Sequence, residues 1–218
     1  NYRSPSATTD NVNASWNLAA PSFLSDYYSD SIYEEPGKPL NMYFYNPQTC
    51  NYEVINNLEA RKLPMLTPFF YQASGPLLKM SHTSRIPRFS ASPAAVVFSD
   101  DQPSDSGRIH RSTNASGIFL DIGFQYGTFT DRTVLGFRAD ATADYRINED
   151  AVKMMSPRMD IPQCWTLLKT NRLAINVFPD SAASFLLGYR VGAVGSYRFF
   201  LQNKQKLDPG AELWLTDA

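Results

Sequence analysis

A chain of 218 residues with 43% apolar side chains holds enough apolar mass for one large core or two small ones, so it is not a disordered tail. Its formal charge of −1 gives no field that would draw polyanions, which argues against nucleic acid as a partner. Aromatics at 13%, with 12 Tyr and 14 Phe, favour strands, and the absence of an apolar run of about 18 residues excludes a helical membrane span.

In chain order, the predicted strands begin with "LNMYFYN" (40–46), "NYEVIN" (51–56) and "LTPFFYQA" (66–73). "AAVVFS" (94–99), "SGIFLDIGF" (116–124) and "RTVLGFR" (132–138) follow. In the fifth of these, Ile118, Leu120, Ile122 and Phe124 fall on one face, the period of two that marks a half-buried strand. "QCWTLLK" (163–169), "RLAINVF" (172–178), "FLLGYRV" (185–191), "SYRFFLQ" (196–202) and "AELWLT" (211–216) complete the set. Between them lie turn-rich connectors such as "EEPGKP" and "LDPGAE". Only "NEDAVKMM" (148–155) tempts a helical reading, and it is barely two turns long. Short strands spaced by such turns imply an all-β fold of one or two antiparallel β-sandwich modules, jelly-roll-like in character. The Pro- and Ser-rich stretch 84–103 suggests a boundary near Arg88, giving an N-terminal module over 1–88 and a C-terminal sandwich over 89–218.

The glycines Gly188, Gly192 and Gly195 invite comparison with a phosphate loop. Such a loop needs a helix behind it, and "SYRFFLQ" alternates as a strand, so a corner between strands is the expected role. No Gly-x-Ser-x-Gly, His-Glu-x-x-His or P-loop pattern occurs, and the two histidines, His82 and His110, sit in polar, strand-flanking contexts. Enzymatic function is therefore not expected, and no organic cofactor is implied. Cys50 and Cys164 are a disulfide candidate if the chain is exported; otherwise they are two separate thiols. The acids Asp140, Asp144 and Asp150, with Glu149, form the densest carboxylate cluster, a calcium candidate against the alternative of a solvated acidic turn, since the spacing of a known calcium loop is lacking. Tyr27, Tyr28, Tyr43, Tyr45, Trp165 and Trp214 would stack on sugars if several shared an exposed face, and otherwise belong to the core or to cross-strand pairs.

Taken together, "DRTVLGFRADATADYRINEDAVKMMSP", "CWTLLKTNRLAINVFP", "FLLGYRVGAVGSYRFFL" and "LDPGAELWLTD" resemble the surface β-modules of Bacteroidota proteins exported by type IX secretion. Upstream, "WNLAAPSF", "LNMYFYNPQTCNYEVIN" and "LPMLTPFFYQASGPLLKM" resemble that family's "NLVGNPYPS", "IYVYNPxTxxY" and "IPPMQGFFVKA", in the same order. Departures are the missing glycine and asparagine in "AAPSF" and Pro68 where the family has glycine. The resemblance implies an extracellular or cell-surface, outer-membrane-associated structural or adhesion module, with a C-terminal sandwich truncated relative to the family. Its partners would be other cell-surface or secretion-machinery proteins, or glycans. A carbohydrate-binding module, or a subunit or cargo of the secretion machinery accepting a partner strand after Leu215, are the alternatives. The Asp-Ser-apolar triplets at Asp30 and Asp180 resemble the O-glycosylation acceptor of such envelope proteins and point to Ser31 and Ser181; Asn13 and Asn114 stand in eukaryotic-type acceptor triplets.

Overall fold

The computed structural model describes residues 12–21, 25–81, 118–179, 184–202 and 212–216. Among them the chain is all-β, without an α-helix. The first group of strands is β1 (Trp16–Ala19), β2 (Tyr27–Tyr28), β3 (Ile32–Tyr33), β4 (Asn41–Asn46), β5 (Asn51–Asn56), β6 (Lys62–Leu63), β7 (Phe69–Gln72) and β8 (Lys79–Met80). The second is β9 (Ile118–Tyr126), β10 (Phe129–Arg138), β11 (Ala151–Val152), β12 (Gln163–Leu168), β13 (Asn171–Pro179), β14 (Leu187–Arg190) and β15 (Arg198–Leu201).

Each group pairs only within itself among the described residues. The first makes an antiparallel sheet in the order β1-β7-β4-β5, with the short ribbons β2-β6 and β3-β8 beside it. The second makes the order β14-β12-β13-β10-β9-β15, with β11 also on β13. All its pairs are antiparallel except β10 with β13. The boundary read near Arg88 and the strand read at 94–99 lie outside the described residues.

Alternation sets the layers. On β4, Met42 and Phe44 point into a core with Tyr27, Ile32, Ile55, Leu63 and Phe69, while Tyr43 points the other way. Tyr43 joins Ile175, Val177 and Ala151 of the second group, with Trp16, Val54 and Val134 packed around them. The first sheet is thus buried on both faces along β4, and Tyr43 is where the two groups share a core. Full burial of each such side chain contributes about 1.5–3 kcal/mol.

The second sheet curls into a half-barrel. In a flat sheet, four interstrand steps would set β14 about 19 Å from β9. Instead the ring of Tyr189 on β14 lies 5.6 Å from Phe124 on β9 and 5.8 Å from Phe199 on β15. Gly188, Gly192 and Gly195 explain how β14 and the segment after it fit between these edges. A Cβ on Gly188 would lie 2.2 Å from the indole nitrogen of Trp165, one on Gly192 2.3 Å from the Asp160 carbonyl oxygen, and one on Gly195 2.6 Å from the Tyr126 ring. Gly192 and Gly195 permit close approach at the corner between β14 and β15, the role expected of them, whereas Gly188 lies within β14 opposite Trp165. Where "NEDAVKMM" tempted a helix, the chain makes a turn at 147–149 and then β11. The exposed residues 212–216, read as part of a strand, belong to none.

Candidate functional site

Between the two groups lies a cavity of about 300 Å³, lined in part by Asn51, Val54, Asp131, Val134, Lys153 and Ile175. Three of its buried polar lining side chains, Asn51, Asp131 and Lys153, form one hydrogen-bonded group with Gln163, which bonds to Asn51. Asn51 opens β5 directly after a tight turn: the Asn46 side-chain oxygen accepts the Gln48 N–H at 2.9 Å, and Cys50 closes the turn at φ 53°. Asp131 is the third residue of β10, opposite Phe124. Lys153 follows β11 and is held by its backbone N–H, which donates to Arg172 O at 2.8 Å. Gln163 opens β12 and is fully buried.

Asp131 is the hub. Lys153 Nζ donates to its Oδ1 and Oδ2, both at 2.6 Å, and to Arg132 O at 3.3 Å, so every ammonium proton has an acceptor. Asn51 Nδ2 donates to Asp131 Oδ1 at 2.7 Å, and the Cys164 N–H donates to Oδ2 at 2.7 Å. The Asn51 side-chain oxygen in turn accepts Gln163 Nε2 and the Tyr52 N–H, each at 2.9 Å. Gln163 Oε1 accepts the Ser156 N–H at 2.9 Å, and Ser156 Oγ donates to Cys50 O at 2.5 Å. The Lys153 and Asp131 side chains are 2% and 3% exposed, which takes this pair out of the class of surface ion pairs. Chemically, the arrangement holds an amine, a carboxylate and a carboxamide together, with every ammonium proton accepted and the carboxylate taking four hydrogen bonds.

A second buried carboxylate stands nearby. Asp150 accepts the Arg146 N–H at 2.7 Å and the Val177 N–H at 2.8 Å, while its carbonyl accepts Asn41 Nδ2 of β4 at 2.9 Å. Burial pushes its carboxyl up to about 7 against the pull of the two amides.

The sequence-derived candidates land elsewhere. Among the described residues no group of three or more His, Cys, Asp or Glu is placed to hold a metal ion. Asp140 forks with the Arg138 guanidinium, which holds its carboxyl below the usual range; Asp144 is exposed and Asp150 buried. Cys50 and Cys164 are free thiols. Although they flank the bonded pair Asn51 and Gln163, their sulfurs face different ways. Cys50 Sγ lies 3.5 Å from Pro47 O, and Cys164 Sγ lies 3.8 Å from Ile122 O, where burial pushes the thiol up to about 12. Ser31 is buried and its hydroxyl donates to Tyr28 O at 2.5 Å, so it is no accessible sugar acceptor. Ser181, His82, His110 and Asn114 lie outside the described residues, and Asn13 is exposed.

Of the aromatics, Tyr27 and Tyr43 are core and Trp165 is buried beneath the Arg172 guanidinium at 4.7 Å. Tyr45 leans on Tyr52, and Trp214 is exposed outside any strand. The rings that do assemble are others: Tyr126, Tyr197, Phe124 and Phe199 stack at 4.5–5.3 Å centroid spacing. The half-exposed Tyr189 joins them. This ladder needs the register Phe199 opposite Phe124, which alternation alone does not give. Among the described residues no helix is long and apolar enough to cross a membrane. Comparison with protein-family models, with curated proteins and with solved structures returned no match.

Proposed function

We propose that this chain is a non-enzymatic structural or adhesion module of a bacterial cell-surface or secreted protein of the type IX kind. The observation that carries the reading is the clamp centred on Asp131. Its buried polar groups are spent joining one sheet to the other, which stiffens the module and leaves exposed loops and edges for contact. The ordered motif resemblance supports the cell-surface setting. The test is deletion of this segment from the parent gene, with surface labelling and an adherence assay on the same cells. Adherence should fall while export of the remainder persists; unchanged adherence overturns the proposal.

A carbohydrate-binding role is the second reading, supported by the aromatic ladder ending in half-exposed Tyr189. Titration with a panel of soluble polysaccharides separates the two. Saturable binding that Tyr189→Ala abolishes favours this reading, and a flat response removes it.

A further inference from the structure

We propose that Lys153 and Asn51 become joined by an amide bond formed within the folded chain, with Asp131 moving the protons. The Lys153 and Asn51 nitrogens lie 2.6 and 2.7 Å from the same oxygen, Asp131 Oδ1, so one carboxylate touches both the amine that attacks and the nitrogen that leaves. The Asn51 side-chain oxygen, where negative charge develops on attack, already accepts two N–H groups, from Gln163 Nε2 and Tyr52 N. Donors aimed at a developing oxyanion and reactants held together on one carboxylate oxygen are two of the largest sources of rate acceleration available to a protein. Asn51, Asp131, Lys153 and Gln163 are all more than nine-tenths buried, which keeps water from competing for the acyl carbon.

The step balances without a co-reactant. Lys153 Nζ passes a proton to Asp131, and its lone pair attacks Asn51 Cγ. The tetrahedral oxyanion rests on the Gln163 and Tyr52 donors. Asp131 returns a proton to Nδ2, the Cγ–Nδ2 bond breaks and ammonia departs, leaving as ammonium with the proton released by the new amide nitrogen. One lysine ammonium and one carboxamide thus become one secondary amide and one ammonium ion. The adjoining cavity, lined by the same three residues, gives the ammonia a way out. Asn51 is a better electrophile than Asp131, because a carboxamide carries no negative charge to repel the attacking lone pair. The reaction turns over once and consumes its own side chains, so it is a maturation step and stands independently of what the module adheres to.

The test is the intact mass of the purified full chain, followed by digestion of the denatured protein. The expected mass is lighter than the sequence by one ammonia, with a branched peptide linking the segments that contain Asn51 and Lys153. Asn51→Ala, Lys153→Met and Asp131→Ala should each abolish the branched peptide. Because the wild-type protein itself carries the decisive readout, poor folding of a variant does not blunt the test. A full sequence mass in folded wild-type protein overturns the proposal. So does loss of ammonia without the branched peptide, as a succinimide would give, and so does loss of one water, which would place the bond on Asp131.

Discussion

At the residue scale, the Asp131 hub and the glycine contacts make separate demands. Removing one partner of a buried ion pair strands the other, at a cost of about 3–5 kcal/mol. Lys153→Met, which also forecloses the amide to Asn51, leaves Asp131 with only the neutral donors Asn51 and Cys164 N–H, so a loss of at least that order is expected in chemical denaturation. Adding Asp131→Leu should restore only part of it, because Asn51 Nδ2 and the Cys164 N–H then lose their acceptor. Strict additivity of the two substitutions would show that the pair is not coupled. Gly192→Ala tests a different constraint, since the new methyl would meet backbone atoms of Asp160 at 2.3–2.4 Å. Overpacking of this kind costs about 1–3 kcal/mol. Gly75→Ala, where the nearest atom is the Glu34 Cβ at 3.6 Å, should be close to neutral in the same thermal melts. Equal melting temperatures for the two variants would contradict the close approach at Gly192.

At the element scale, the half-barrel depends on one ring. Phe124 stacks on Tyr197 and Phe199 and touches Tyr189, so it links β9, β14, β15 and the segment between the last two. Phe124→Ala should cost about 3–5 kcal/mol and should open the segment 191–197 to limited proteolysis before global unfolding. Cleavage that tracks global unfolding alone would mean the edges hold without the ring. This is also where the sequence is most and least legible. The hairpin β4-β5 lies within a residue of the reading from alternation, and β10, β12 and β13 contain or nearly match their predicted runs, because each has enough residues to display a period of two. The two-residue strands β2, β3, β6, β8 and β11 carry no period at all and exist only through tertiary partners. The hub was invisible for a related reason. Asn51 and Gln163 are ordinary polar letters 112 positions apart, and nothing local in either marks the bond between them. Reading the densest local run of acids instead favoured Asp140, Asp144 and Asp150 and passed over Asp131, whose partners are distant in sequence.

At the scale of the whole molecule, Asp150 ties stability to pH. It joins the turn at Arg146, strand β13 through Val177 and, by its carbonyl, strand β4 through Asn41, so its state is felt by both groups of strands. Burial holds its folded carboxyl near 7, against an ordinary value of 3.8. Between those values the folded chain keeps a proton that the unfolded chain has lost, so folding is favoured at the lower end and this contribution disappears as pH rises through about 7. The slope is at most about 1.4 kcal/mol per pH unit from this group. Exposed Asp140 and Asp160, each lowered by a neighbouring arginine, act in the opposite sense and only below the ordinary carboxylate range. Denaturant midpoints measured from pH 5 to pH 8 should therefore decline. In Asp150→Asn the decline should flatten even though the amide, with a single side-chain oxygen for two N–H donors, lowers stability throughout. An unchanged slope in that variant would move the pH dependence to another group, and a rise in stability from pH 5 to pH 8 in the wild type would show that Asp150 is charged in the folded chain across this range.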